Sequence, residues 1–582
     1  MHSKILKLFS SSFFVVLVFT LISSAQWSND PFQNLPIAAT TGEQALPKIV
    51  ATSDGGCFIS WFDNRNGNYC VYLQRLNALG EAQFPTNGML ISDHPQQSWL
   101  TDYDMAVDGG DNAIIAFNDI RNGGISDWDI YAYKISSAGT FLWGADGISL
   151  SDVTVADFEV APKVTVSSAD NVVISWLKSG GADSIAVQKI SAGGQKMWGD
   201  YGITLQPAAG ASLSAPDLVP AQDDSVIMVW KSSTGSFPVI TTKLYSQKFG
   251  PDGSKAWGTD GVLIYDLGHI TAWTNPQIYT DGNGGAFYTW YDAPSLSEFS
   301  VWVQHVDAHG SLVFPLNGIK ASTNNTRLHL YPTLSHFPQT DELFVFWIEE
   351  NTNQNQYGVY GQKFTSQGSR LWTNEGKQFI ALGGNTISFL NSAPADTSIY
   401  LSYFESSAPG AFNAAVKSSL IDKNGTSLWG PVLLSDASLG NKDDLLMVVN
   451  TQFRAFLCWT DYRSPAYDIY AQNVNFDGTL GNPPVGIDET QQSLPMDFML
   501  YQNFPNPFNP ATILAFSLPQ TEFVTLKIYN ILGEEVATII SGKLPPGRYE
   551  YRWNAGERVS GVYLYRLEVG EISKTRKMIL LR

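Results

Sequence analysis

Short apolar runs that end in a bulky aromatic recur along the chain. CFISW ends at Trp61, AIIAF at Phe117, VVISW at Trp176 and VIMVW at Trp230. AFYTW to Trp290, LFVFW to Trp347, IYLSY to Tyr403 and AFLCW to Trp459 continue the series. The spacings are 56, 59, 54, 60, 57, 56 and 56 residues. Runs this short, rich in β-branched and aromatic residues, predict buried strands. Their fixed period predicts a repeat architecture.

Each unit carries four strand signals. A short strand such as PKIVATS or PKVTVSS precedes the landmark run. An alternating strand follows it, as in YCVYLQRL, DIYAYKI, SIAVQKI, VWVQHV, GVYGQKF and DIYAQNV. Alternation marks a strand with two different faces. A glycine then closes the last hairpin of every unit: Gly80, Gly139, Gly194, Gly253, Gly310, Gly368, Gly425 and Gly478. Glycine supplies the positive φ that such turns need. The fourth strand often opens on Trp-Gly, as in LWGADGISL.

Four antiparallel strands repeated eight times predict an all-β fold, a β-propeller of eight blades over residues 26–484. A seven-bladed ring with one aberrant unit is the alternative. The last unit lacks a fourth strand, and PFQNLPIAAT near the N-terminus resembles VFPLNGIKAST, the fourth strand of the fifth unit. Residues 31–40 are therefore expected to pair into the final blade and latch the ring, removing an exposed edge.

Three units carry an acid–x–Arg loop before their third strand: WFDNRNGNYCVYLQ, FNDIRNGGISDWDIYAY and WTDYRSPAYDIYAQ. In this the unit resembles the repeat of TolB-like and related WD40-like periplasmic propellers. That resemblance implies a fold and no activity.

A new pattern starts at YQNFPNPFNPATILAFSLP, residues 501–519. Its prolines remove donors and fix φ, so the chain resists pairing until Thr512. Short alternating strands follow: ILAFSLP, FVTLKIYN, EEVATII, GRYEYRWN, GVYLYRLEVG and KTRKMILLR. They predict a small Ig-like sandwich over 501–582, joined to the ring by a linker at 485–500. The stretches YQNFPNPFNPAT, VTLKIYNILGEEVATI, LPPGRYEYRWNA, GVYLYRLEVG and SKTRKMILL resemble the type A C-terminal sorting domain of the type IX secretion system, a relative of an Ig-like module of flagellar hook-capping proteins. The resemblance implies export across the outer membrane, a partnership with the type IX machinery, and roles for Gly561, Tyr563, Lys574 and Lys577, which match the family's best-marked positions. Whether the tail is cleaved and the protein released, or anchored at the cell surface, stays open.

The other end fits that route. Lys4 and Lys7 precede an apolar run, Leu8 to Ile22, too short to span a membrane comfortably, and Ser23-Ser24-Ala25 offers a cleavage site. Residues 1–25 are read as a signal peptide, and no later transmembrane segment is expected. From Tyr501 onward the chain nets +3, whereas 26–500 nets −24. Such an acidic body argues against nucleic acid and anionic membrane as partners. The three cysteines, Cys57, Cys70 and Cys458, are too few for a disulfide framework, and Cys57 and Cys458 fall in apolar strands as small buried thiols.

Catalytic motifs are missing from the sequence: it has no HExxH, no Walker loop and no GxSxG elbow. His305 and His309 sit on a strand and its turn, where a spacing of four does not converge on a metal. TSDGGCFISW lacks the residue order of a sialidase Asp-box. The loops SDGG, VDGGDN and TDGNGG could offer oxygens to calcium, though Asx turns explain them as well; no other cofactor is implied. One face of the ring would gather Asp63, Arg65, Asp119, Arg121, Asp127, Asp292, Glu349, Glu350, Asp461 and Arg463, with Arg327 and His329. Trp99, Trp128 and Trp273 join them without recurring between units, which marks them for ring stacking on a ligand. The repeated Asp–Arg pairs serve as well to fasten their own loops. The reading that follows is a secreted, monomeric, non-catalytic propeller that binds a glycan or a protein. The alternative is a propeller glycoside hydrolase or polysaccharide lyase built on carboxylates from several blades.

Overall fold

Eight four-stranded antiparallel sheets follow one another between residues 35 and 474. The structure is a computed structural model. It describes residues 26–96, 102–122, 127–153, 157–179, 183–236, 239–407, 413–482, 499–500, 503, 506–518, 522–544, 547–556, 558–570 and 572–581. The chain divides into two units, Met1–Asn482 and Pro483–Arg582. The expected signal peptide lies outside the described residues, as does most of the expected linker.

In the first unit, sheets 1 to 7 each use four consecutive strands: 44–96, 104–149, 158–205, 211–268, 277–320, 327–383 and 386–435. Sheet 8 takes three strands from 442–474 and its fourth from Leu35–Ala38, which pairs antiparallel with Asp468–Val474. The landmark runs are second strands, buried on both faces, because each sheet is covered by the next.

The core is divided accordingly. One buried apolar cluster fills each gap between successive sheets. A further cluster joins sheet 8 to sheet 1 through Ile37, Ile49, Cys57, Phe456 and Cys458. All three cysteines are free and buried. First strands are edge strands, and each packs on the first strands of both neighbouring sheets. The series returns from Lys442–Val449 to Gln44–Ala51.

The hairpin glycines have two reasons to be glycine. All eight have φ between 73° and 91°. A Cβ at any of them would also lie within 3.3 Å of an aromatic ring presented by the preceding sheet. Phe84 covers Gly139, Trp143 covers Gly194, Trp198 covers Gly253 and Trp257 covers Gly310. Phe314, Trp372 and Trp429 continue over Gly368, Gly425 and Gly478. The eighth place, over Gly80, is filled by Trp27 from the N-terminal segment. Its ring stacks on Phe456 of sheet 8, with centroids 5.1 Å apart. The Trp-Gly signal in the sequence is this contact.

First strands begin earlier than the sequence pattern places them. In six sheets a bulge interrupts the pairing, at Leu46, Ala161, Ala215, Tyr331, Phe389 and Asp444, each with φ near 50°. Pro47, Pro162, Pro216 and Pro332 follow four of these residues. Proline cannot donate to a ladder, so it tolerates the break that the bulge makes.

Among its described residues the second unit has seven strands in two antiparallel sheets, one of three strands and one of four. They enclose a single core containing Leu514, Phe516, Leu526, Trp553, Tyr565 and Leu567.

Candidate functional site

The acid–x–Arg loops lie where second strands turn into third strands. Asp63 accepts from the Trp61 indole at 2.9 Å, from Arg65 backbone N at 2.9 Å and from Arg65 Nε at 2.9 Å. Asp461 repeats the set with Trp459 at 2.8 Å and with Arg463 N and Nε, each at 3.0 Å. Asp119 holds Arg121 in the same way, without a tryptophan. The side chains of all three aspartates are fully buried.

Each guanidinium then lies over a tyrosine of its third strand: Arg65 on Tyr72 at 4.1 Å, Arg121 on Tyr131 at 3.6 Å and Arg463 on Tyr470 at 3.7 Å. Each also donates to the segment that opens the sheet's fourth strand: to Asn87 O, to Asp146 O and to Asn34 Oδ1. These pairs therefore hold their own sheets together and present no carboxylate to a ligand.

Sheets 5 and 6 place a buried acid at the same position without an arginine two residues on. Glu349 accepts from the Trp347 indole at 2.8 Å but has no arginine; His329 Nε2 stands 3.3 Å away, and both side chains are buried. Burial pushes the Glu349 carboxyl up to about 7, against the Trp347 hydrogen bond, and pushes His329 down to about 4. Asp292 accepts from the Tyr265 hydroxyl at 2.8 Å. Burial raises its carboxyl too.

The tryptophans separate. Trp99 lies outside the described residues. Trp128 is half-buried, packed edge-on against Phe158 at 5.4 Å, and its strand segment bridges sheets 2 and 3. Trp273 is 72% exposed. Its loop is fixed from below. The buried Lys231 ammonium donates to Ala272 O at 2.7 Å and to Thr274 O at 3.0 Å, on either side of the tryptophan. Burial lowers this lysine to about 8. The result is an aromatic ring held out to solvent on a rigid base, a low-entropy contact surface.

Chemistry that the sequence reading missed lines the ring of first strands. Asp102 bridges Lys48 at 2.7 Å and Lys163 at 2.9 Å, joining sheets 1 and 3 across sheet 2. Burial alone would raise Asp102, but the two lysines hold it well below the usual carboxylate range. Asp217 and Asp444 are pushed up to about 6, chiefly by burial, against the charges of Lys163 and Lys48 respectively. At the places that match Lys48, Lys163 and Asp217, sheets 5 to 7 hold Gln277, Thr333 and Asn391. The residues that pair just before the landmark aromatics were a signal for Lys48, Lys163 and Asp217, reading Lys, Asp, Lys, Asp, Gln, Thr, Asn and Leu through the eight units, but not for Asp102 or Asp444, which lie two positions earlier.

The loops considered for calcium are Asx turns. Asp54, Asp108 and Asp281 each accept from amides of their own turns. Among the described residues, no three acidic, histidine or cysteine side chains are grouped to hold a metal ion. His305 is buried between Asp281 Oδ2 at 3.1 Å and Ser366 O at 3.0 Å.

In the second unit Tyr563 is a core residue whose hydroxyl donates to Val559 O at 3.0 Å. Gly561 begins its strand in open space, and its φ lies outside the left-handed region. Lys574 and Lys577 lie exposed on Ile572–Leu580, an edge strand.

The tail is identified by comparison. Residues 502–581 match the family described as a secretion system C-terminal sorting domain. They are a type IX sorting domain. The protein is thus a substrate of that machinery, exported for secretion or for display at the cell surface. No helix among the described residues is long and apolar enough to cross a membrane.

No curated protein is similar to the chain. Among solved structures, the polysaccharide lyase Uly1 is similar at 11% identity and a TM-score of 0.41, over 76% of this chain and 91% of that one. A PL25 ulvan lyase gives 10% and 0.38 over 69% and 95%. An α-L-arabinanase of Penicillium chrysogenum gives 11% and 0.30 over 55% and 94%. These likenesses, all below a TM-score of 0.5, say nothing of activity.

Proposed function

We propose that the eight sheets are the blades of a β-propeller latched by its N-terminal strand, and that the tail is an Ig-like sandwich. The propeller acts outside the cell as a non-catalytic binding protein for a glycan or a protein. The carrying observation is Trp273, an exposed ring on a loop that Lys231 pins from beneath. Trp128 belongs to the same side of the ring by topology and extends the surface. The Asp–Arg pairs at Asp63, Asp119 and Asp461 shape its loops.

A second reading has its own support. Asp217 and Asp444, held near pKa 6 on the inner wall, are suited to proton transfer at neutral pH, as a glycoside hydrolase or polysaccharide lyase requires. A binding screen of the secreted chain against polysaccharides and outer-membrane proteins, with product analysis on every hit, separates the two. Binding without turnover that is lost in Trp273→Ala supports the binding protein. Product release that is lost in Asp217→Asn or Asp444→Asn supports the enzyme.

A further inference from the structure

Two of the six bulge residues are exposed aromatics. Tyr331 in sheet 6 is 53% exposed, and Phe389 in sheet 7 is 42% exposed. Both have φ near 50°, a backbone that a bulky residue adopts only at a cost. The bulge itself does not require a ring. Sheets 3 and 4 place Ala161 and Ala215 there, so a methyl group suffices for the fold. Each ring is nevertheless held in place. Tyr331 packs edge-on against Tyr291 of sheet 5, and Phe389 against Phe404 of its own sheet, each with centroids 5.4 Å apart. Asn391 Nδ2 donates to Phe389 O at 2.9 Å and to Leu445 O of sheet 8 at 3.1 Å. Ser392 N donates to Thr333 Oγ1 at 3.2 Å, which ties the two first strands together just past the aromatics.

The two residues are recessed, and the wall that carries them is uncharged. Tyr331 lies in the bulge opposite Trp347, and that second strand runs on to Asn351. Phe389 lies in the bulge opposite Tyr403, and that strand runs on to Ser406. At about 3.3 Å per residue the two positions sit roughly 10–13 Å below the strand ends. The first strands of sheets 5 to 7 carry no aspartate, glutamate, lysine or arginine over residues 277–280, 328–337 and 386–395. Those of sheets 1 to 4 and 8 carry Lys48, Asp104, Lys163, Asp217 and Asp444. One arc of the inner wall is therefore charged, and the other holds the two aromatics.

We infer that Tyr331 and Phe389 are stacking subsites for an uncharged polysaccharide strand that enters the ring. The inference rests on the propeller and binding-protein readings and names the class of ligand. The C–H face of a sugar packs on an aromatic ring without need of charge. Rings fixed before the ligand arrives lose little entropy when it binds. A polypeptide would take an open strand edge by backbone pairing, and here the bulges break that ladder. A folded protein surface does not reach side chains this far below the strand ends. An anionic polysaccharide would meet the repulsion of the acidic body.

The test is affinity electrophoresis of the full secreted chain through gels that contain soluble β-glucan, mannan or arabinan, with alginate as the anionic comparison. Retardation by at least one uncharged polymer is expected, and it should persist in high salt. Tyr331→Ala/Phe389→Ala should weaken that binding about tenfold or more, with an unchanged melting temperature. Tyr331→Phe keeps the stacking face and should bind within about twofold of the parent. Four outcomes overturn the inference: no uncharged polymer retards the chain, the double variant binds as the parent does, only alginate binds and salt abolishes it, or the double variant melts early. The last would place the rings in the fold. A protein found as the sole ligand removes this inference and leaves the binding-protein reading standing. Turnover of a polysaccharide with a KM that rises in the double variant supports the subsites and removes that reading, so the two fail separately.

Discussion

Arg463 donates from Nη2 to Asn34 Oδ1 at 2.9 Å, across 429 positions of the chain. Asn34 is buried; it also donates to Leu434 O at 2.7 Å and accepts from Ser435 Oγ at 2.7 Å. Asn34→Ala removes all three bonds and leaves buried groups unpaired. It should destabilise the first unit by about 2–4 kcal/mol, read as a fall in the urea midpoint with an unchanged slope. A loss below about 0.5 kcal/mol would mean that the N-terminal strand contributes little to closure.

Gly310→Ala and Gly258→Ala separate backbone from packing. Both glycines have φ near 84°, but only Gly310 lies under a ring, 2.7 Å from Trp257, whereas nothing crowds Gly258. Gly258→Ala should cost about 1–2 kcal/mol for the left-handed backbone. Gly310→Ala should cost at least about 1 kcal/mol more by overpacking. Equal thermal shifts would refute the aromatic-on-glycine account.

Glu349→Gln tests the buried acid. The folded chain holds a proton up to about pH 7 that the unfolded chain releases near 4.5. The carboxyl's contribution is therefore full below pH 4.5 and is lost as pH rises through 7. Glutamine does not titrate, and His329 is common to both proteins. The variant should gain on the parent across this window, by on the order of 2–3 kcal/mol at pH 8. Paired melting curves at pH 4 and pH 8 give the answer; a constant difference would mean that Glu349 titrates alike in the folded and unfolded chains.

Trp27→Ala and Trp273→Ala should behave oppositely. Trp27 is buried and closes the aromatic belt, so its truncation should cost about 3–5 kcal/mol. Trp273→Ala should leave the melting temperature nearly unchanged while removing ligand binding. Lys231→Met should weaken binding without touching the ring itself. A stability loss in Trp273→Ala would place that residue in the fold.

Gly561→Ala meets no steric or backbone penalty in the folded tail. It should leave stability within about 0.5 kcal/mol. A fall in the amount reaching the culture medium or cell surface, measured with unchanged periplasmic folding, would assign Gly561 to recognition by the export machinery. Undiminished export would remove it from that role.

Periodicity made the sheets legible. A landmark strand buried on both faces is apolar at every position, and its spacing survives variation in every loop. The acid–x–Arg pairs were visible too, but whether they faced a ligand or their own loop depended on Tyr72, Tyr131 and Tyr470, which lie seven to ten residues further on. The bulges were hidden because a positive φ at Leu46 or Tyr331 leaves no compositional trace beyond the proline that follows. Lys231 was illegible for a different reason. Its partners are backbone carbonyls, which every residue has. The link between Asp102 and its two lysines joins residues 54 and 61 positions apart, so only the cyclic stacking of first strands brings them together.

The fourth strand of sheet 8 lies more than 400 residues from its partner, whereas every other sheet of the first unit is built from neighbours in the chain. The kinetics follow from this. Seven sheets can form while the chain is still being delivered, because their contacts are local; the closing strand waits for both ends to meet, against the loop-closure entropy of the whole ring. Once closed, the same strand becomes the weakest point. It is short, and its removal bares the edge of Asp468–Val474. The lifetime of the folded ring is then expected to follow how often the strand Leu35–Ala38 peels away.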